Sequence, residues 1–310
     1  MLVLCRENLQ NKENKESKEN KQKRLTHQDS PVILVLQGKQ AKQGNLQRSV
    51  FFMAKTIAIF NQKGGVGKST TASNLMAELT KLGYKVLGID IDAQGHLSKF
   101  CDINTDDENT IMELLSKEAT FDETVKETRF GDVIPCDRNL QIYIKQFSDD
   151  INNIFLLQDL VREQDSRYDF IIIDCPPNAH QITTSALVAA NYVIVPTEAE
   201  YFSLDGVTEI SLTIDKVKQR LNPGLTVLGV LIVKYQPRRS LTRQFERFMV
   251  ELADKHLHCK LFDTKICYAV AVPSSQAMKK SVSEYDKKSK AAEGYEAFAK
   301  EVVVRVKKNG

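Results

Sequence analysis

The sequence predicts a doubly wound α/β domain, a mostly parallel sheet with helices on both faces, and three observations carry that prediction. A glycine-rich segment at 61–70, NQKGGVGKST, stands between an apolar run and a pattern of helical spacing. Near-continuous Val/Ile/Leu runs recur along the chain, as expected of strands covered on both faces. Between those runs lie stretches whose apolar residues are three and four apart, the helical period.

The elements follow in order. TIAIF (56–60) is an apolar β-run that leads straight into the glycines. STTASNLMAELTKLG (69–83) spaces Leu75, Leu79 and Leu82 on one helical face and closes on Gly83, a stop signal. KVLGID (85–90) and DFIIID (169–174) read as two more strands, YVIVP (192–196) and LTVLGVLIV (225–233) as another two. Helical patterns fall at about 205–221, 240–257 and 284–306. In a sheet of this kind the ligand crevice opens at the carboxyl ends of the strands.

Residues 1–52 read as a separate object. ENLQNKENKESKENKQKR is low-complexity and polar, with little to bury, so a disordered extension is expected, followed by one domain over 53–310. VILVLQ (32–37) is an isolated apolar island, and Met53 could serve as the start of a complete domain; an early start at Met1 would account for the tail. The whole chain holds 43 basic and 40 acidic residues; the tail has ten and five of these, leaving 33 and 35 in the domain. Global charge therefore gives the domain no case for nucleic-acid binding, and such a case must come from a local patch.

Other classes are disfavoured. A hydrophobic fraction of 42% is ordinary for a globular protein, and no apolar run approaches the roughly 18 residues of a membrane span. The six cysteines include no C-x-x-C pair, which speaks against a zinc site or a disulfide framework and fits a reducing cytoplasm. HLHC (256–259) reads as surface and core residues at a helix end rather than a metal cluster.

The glycine-rich segment carries the chemistry. Its end, Gly67-Lys68-Ser69, matches that of a phosphate-binding loop, but Gln62 stands where the first glycine of the usual pattern belongs, and Lys63 follows it. Gly64, Gly65 and Gly67, around Val66, let backbone N–H groups converge on phosphates, and the helix beginning near Lys68 adds its positive end. Lys68 is placed to reach the β- and γ-phosphates and Ser69, followed by Thr70, to offer a hydroxyl to Mg²⁺. Asp90 and Asp92 close the second strand, and Asp174 closes FIIID at the position that holds the Mg²⁺ water shell. Alone, each acidic strand end could be a cap or turn residue; the three elements in this order point to an ATP site.

With KGGVGKST, DIDAQ, IIIDCPP and VIVPTEAEYFSLDGV in place, the chain resembles the ParA/Soj partition ATPases. These belong to the deviant-Walker-A group of P-loop ATPases, together with MinD. The resemblance runs over about 53–306 and includes IPCDRNL (134–140), RLNPGLTVLGVLIVKY (220–235) and SVSEYDKKSKAAEGYEAFAKEV (281–302). It implies an ATP-dependent homodimer in which Lys63 reaches the partner's phosphates. It also implies a water-positioning Asp92 with Asp90 as its acidic neighbour, weak ATP hydrolysis, and a ParB-like centromere-binding partner on nucleoid DNA. Three departures stand out: Ala93 replaces a usual proline, Cys175 a smaller residue, and Cys267 an arginine often used for DNA.

For DNA the sequence offers KYQPRRSLTRQFERF (234–248), with Arg238 and Arg239 ahead of a helix and Arg243 and Arg247 four apart on one face. Such a cluster suits nonspecific, salt-sensitive phosphate contacts, and Lys279 and Lys280 would extend it; solvated charges paired with Glu246 and Glu251 are the competing explanation. The alternatives within the group are a MinD-type membrane-surface regulator and a metabolic P-loop enzyme. The chain end, FAKEVVVRVKKNG, lacks the bulky apolar face that membrane insertion needs, so membrane binding is not expected.

Overall fold

A computed structural model describes residues 53–147, 150–177, 181–198, 204–237 and 240–309. The tail at 1–52, with its VILVLQ island, and Arg238 and Arg239 lie outside the described residues.

Seven strands form one sheet: β1 (Lys55–Ile59), β2 (Val86–Asp90), β3 (Lys126–Thr128), β4 (Gly131–Ile134), β5 (Phe170–Asp174), β6 (Tyr192–Glu198) and β7 (Thr226–Val233), in the order β3-β4-β2-β5-β1-β6-β7. All pairings are parallel except β3 with β4, an antiparallel hairpin at one edge. The five expected strands are present; the hairpin is an addition that the sequence did not announce.

Alternation along the strands explains why both faces are covered. In β1, Ile57 and Ile59 point into one core and Ala58 into the other. In β5, Phe170 and Ile172 share the first of these cores, Ile171 and Ile173 the second. Successive strand side chains face opposite ways, so an unbroken apolar run must be roofed twice.

One roof is built by α1 (Lys68–Lys81) and by the last helix of the chain, Lys290–Asn309. Leu75, Met76 and Leu79 come from the first, and Phe298, Val302 and Val306 from the second. Each such side chain contributes about 1.5–3 kcal/mol when buried. The opposite roof includes the helices Leu156–Glu163, Gln181–Ala189, Leu204–Arg220 and Ser240–Leu257.

Two helix ends show how local chemistry sets the boundaries. α1 stops at Lys81, and Gly83 follows at φ +86°, the left-handed region the sequence reserved for it. The pattern at 284–306 resolves into two helices, Val282–Tyr285 and Lys290–Asn309, so the single expected helix is corrected. Between them the Asp286 carboxylate accepts from Lys288 N at 3.1 Å, and the Ser289 hydroxyl accepts from Ala292 N at 3.2 Å. Both contacts favour a turn followed by a fresh helix start.

The last helix is also locked by polar contacts. Arg305 lies over the Phe262 ring at 4.1 Å and donates to the Leu228 and Leu261 carbonyls at 2.9 and 2.6 Å. Gly229 makes room for it, since a Cβ there would come within 2.6 Å of the guanidinium. The apolar stripe of the chain end is thus consumed inside its own domain. No helix among the described residues is long and apolar enough to cross a membrane.

Candidate active site

Strand order builds the site. β1 lies between β5 and β6, and β2 lies on the far side of β5, so the loop after β1 and the carboxyl ends of β2 and β5 are neighbours. Register pairs Ile59 with Asp174 and Asp174 with Asp90, which puts both carboxylates beside the glycine-rich loop.

The loop is held open by its backbone. Gly65 and Gly67 take φ values of +75° and +79°, conformations that side-chain-bearing residues rarely adopt. Gly67 is the N-cap of α1 without a side-chain cap, so the helix offers bare N–H groups. Asn61 sets the entry: its side chain accepts from Lys63 N and donates to the Pro196 carbonyl, each at 2.9 Å. Gln62 turns away, its amide donating to the Thr213 hydroxyl at 2.8 Å, which agrees with its having no part in the phosphate cradle. Val66 is buried under the loop, whereas Lys63, Gly64 and Gly65 are exposed, and Ser69 and Thr70 are half-buried.

Lys68 is buried and donates to the Lys63 carbonyl at 2.8 Å. Burial lowers its pKa, while Asp174, Cys175 and Asp92 pull it back up. The ammonium therefore sits in a carboxylate-rich pocket on a replaceable carbonyl contact, ready to exchange that contact for phosphate.

The three aspartates have different surroundings. Asp90 is fully buried, and its carboxylate accepts from Ser98 N and Oγ at 2.9 and 2.8 Å and from Asp92 N at 3.1 Å. Burial pushes its pKa up to about 7 in spite of those donors. Asp90 thus shapes the turn that carries Asp92. Asp92 is nearly buried, with one oxygen accepting from Gln94 N at 3.0 Å, and it lines the cleft. Asp174 is fully buried, and neither of its oxygens has a hydrogen-bond partner among the described residues. Its pKa is driven well above the ordinary range by burial and by Asp90; the nearby Ser69 hydroxyl opposes that, Asp92 adds to it, and Lys68 opposes it.

An orphaned, buried carboxylate next to a serine hydroxyl is the donor set a hard divalent cation prefers. The residues fit Mg²⁺, with Ser69 and Asp174 as the holders, and the ion would supply charge neutralisation on the β- and γ-phosphates. A cleft of about 1160 Å³ opens over this group, lined on one side by the loop and Asp92 and on another by Val233, Lys234, Pro273 and Gln276. That volume is ample for a nucleotide.

Sequence reasoning missed Ser98, Lys234, Glu198 and Gln276. Ser98 steadies Asp90, and Gln276 donates to the Thr70 hydroxyl at 2.7 Å. No spacing pattern marks any of them, because each reaches its partner through tertiary structure.

The basic candidates fall in scattered settings. Arg247 is exposed on the helix Ser240–Leu257; of Arg243 only the helical backbone belongs to the description. Glu246 pairs with Lys265. Lys279 lines the cleft and pairs with Asp102, and its carbonyl accepts from Arg129. Lys280 is exposed. The described cysteines Cys101, Cys136, Cys175 and Cys259 are buried, and Cys267 is half-buried beside the cleft.

Comparison with known proteins places this geometry. A family model described as "AAA domain" matches residues 54–227. The chain is 34% identical over 265 residues to the chromosome partitioning protein ParA of Myxococcus xanthus, covering 84% of this chain and 92% of that protein. It is 36% identical over 256 residues to the protein of the same name from Caulobacter vibrioides, covering 81% and 94%. Among solved structures, cobyrinic acid a,c-diamide synthase from Mycobacterium smegmatis, with bound ADP and magnesium, superposes with a TM-score of 0.72 at 28% identity, covering 83% of this chain and 97% of that one.

Proposed function

The chain belongs to the ParA/Soj family of deviant-Walker-A P-loop ATPases, and from that premise we propose that it is a partition ATPase whose ATP-bound dimer holds nonspecific DNA. It is an ATPase that uses ATP with Mg²⁺. The observation that carries the finer reading is the contrast between the loop's two lysines. Lys68 is buried against its own site, whereas Lys63 is exposed at the loop's start.

Lys68 serves the phosphates of its own subunit. Lys63 is placed to serve those of a second subunit, supplying in trans the cation that an arginine finger supplies elsewhere. Dimerisation and ATP occupancy then become one event. Asp92 would orient the attacking water, Asp90 fixes the turn beneath it, and Ser69 and Asp174 would hold the ion. DNA would be gripped through phosphates by Arg238, Arg239, Arg243 and Arg247, with Lys279 and Lys280 as further contacts, and released when hydrolysis separates the dimer. A ParB-like centromere-binding protein would stimulate that hydrolysis. The protein would work in the cytoplasm on the nucleoid, on a chromosome or a plasmid. The burial of Phe298, Val302 and Val306 disfavours the MinD-type alternative, because it leaves the last helix no apolar face for a membrane.

The test is DNA retention with and without ATP across several salt concentrations, for wild type and for Asp92→Ala. The reading expects ATP-dependent, salt-sensitive retention that persists in the slowly hydrolysing variant. If neither form retains DNA with ATP present, the partition reading fails.

A further inference from the structure

Lys234 is the residue that the nucleotide reading leaves unexplained. It follows β7 directly, lines the cleft, and its ammonium donates to the Gly65 carbonyl at 3.1 Å. The same ammonium pairs with Glu198 at the end of β6, at 2.5 Å. Its backbone has φ +51°, in the left-handed region that favours glycine. That turn takes the chain off the sheet, and the next residue is fixed at once: Tyr235 N donates to the Ile266 carbonyl at 2.9 Å and the Tyr235 carbonyl accepts from Tyr268 N at 3.0 Å. Lys234 thus reaches the loop from a rigid base.

Two lysines hold carbonyls of the loop, and their tasks differ. Lys68 holds the Lys63 carbonyl and must give it up to reach phosphate. Lys234 holds the Gly65 carbonyl and keeps its own counter-charge in Glu198, so nothing in phosphate binding requires it to let go. A trans peptide points its C=O and the following N–H in opposite directions. Fixing the Gly65 oxygen toward Lys234 therefore fixes the Val66 N–H on the other side. N–H direction is what makes a glycine-rich loop a phosphate cradle, and Gly65 and Gly67, at φ +75° and +79°, carry no side chain that could fix it.

We propose that Lys234, charge-balanced by Glu198, is a positioning residue that braces the phosphate loop through the Gly65 carbonyl and so sets the affinity for the triphosphate. The proposal deepens the ATPase reading and rests on it. Lys234 acts on binding rather than on the chemical step, because Lys68, Asp92 and Asp174 do not depend on it.

The experiment uses the full chain and compares wild type with Lys234→Met, Lys234→Arg and Glu198→Gln. It measures the dissociation constant for ATP with Mg²⁺ by titration of a fluorescent ATP analogue, the KM and kcat of hydrolysis, and the melting temperature without nucleotide. Lys234→Met is expected to weaken ATP binding and raise KM about three- to tenfold, with kcat within twofold and the apo melting temperature unchanged. Lys234→Arg is expected to restore most of the affinity, since a guanidinium can also donate to both partners. Glu198→Gln is expected to fall between wild type and Lys234→Met. ATP affinity in Lys234→Met within twofold of wild type would overturn the brace, as would an arginine variant no better than methionine. A fall in kcat at constant KM would overturn it too, by moving Lys234 into the chemical step. Failure of the wild type to bind ATP at all is a separate result that sinks the ATPase reading itself.

Discussion

The strand ends that carry Asp90 and Asp174 and the surface that carries Arg247 are both charged regions, and they differ in where the charge is kept. Asp174 has no exposed surface, and its oxygens have no hydrogen-bond partner among the described residues. Arg247 stands in solvent, and its neighbour Glu246 is already paired with Lys265. Burying a carboxylate without a partner costs several kcal/mol in general, so the group keeps its proton unless a cation such as Mg²⁺ takes the proton's place. An exposed arginine costs nothing and announces nothing. The first region names its ligand's chemistry; the second needs an experiment to acquire a function.

Lys63 is the residue most able to break this contrast, because it belongs to the first region yet is exposed like the second. Lys63→Gln is expected to keep ATP affinity within a few-fold, to abolish the ATP-dependent dimer in sedimentation, and to lower hydrolysis by on the order of 10³-fold. Hydrolysis at the wild-type rate would mean that exposed charge near the loop is as uninformative as it is elsewhere.

Asp174→Asn sharpens the contrast from inside. Hydrolysis and Mg²⁺ affinity should fall about 10- to 100-fold, while the nucleotide-free protein, whose Asp174 is kept protonated by burial, should gain thermal stability chiefly toward high pH, where the wild-type carboxyl must ionise. The pH dependence has a definite sign. Asp90 titrates near 7 in the fold against 3.8 for a free carboxyl, and Asp174 is shifted in the same direction. Between those values the folded chain keeps protons that the unfolded chain has lost. Stability without nucleotide should therefore decline as pH rises from about 4 through about 7, and the shift of Asp174 adds to the decline in the same direction. Thermal melts across this window and above it, with and without the Asn substitution, check both statements; a wild-type curve that rises toward neutrality contradicts them.

The smallest effect is expected on the surface. Arg247→Ala should weaken DNA retention only a few-fold and reduce the slope of affinity against salt by about one counterion, uniformly across DNA sequences. An unchanged slope would return Arg247 to the class of solvated charges.

The same contrast governs what the sequence made visible. β1, β2, β5, β6 and β7 are long apolar runs between two cores, and each was readable as a strand. β3 and β4 have three and four residues, too short for a period to show. The four-residue helix Phe121–Thr124, with its capping box, and Val282–Tyr285 were invisible for the same reason. In the site, Lys68, Asp90 and Asp174 were readable because a loop motif and strand ends fix them locally. Ser98, Lys234 and Glu198 were not, because their partners are distant in sequence and only the sheet order brings them together.

Gly229 and Arg305 extend the lesson into the protein's evolutionary history. The guanidinium, the Phe262 ring and the Lys260 carbonyl together fill the space that any side chain at 229 would need, and the guanidinium in return satisfies carbonyls of the chain around it. Neither residue can change first without cost: a Cβ at 229 evicts the arginine, and loss of the arginine leaves carbonyls unpaired beside an empty slot. Loss of the arginine alone does not free position 229, since the Phe262 ring and the Lys260 carbonyl would still lie within 2.9 Å of a Cβ there, so the glycine is expected to outlast the arginine across the 76 residues that separate them.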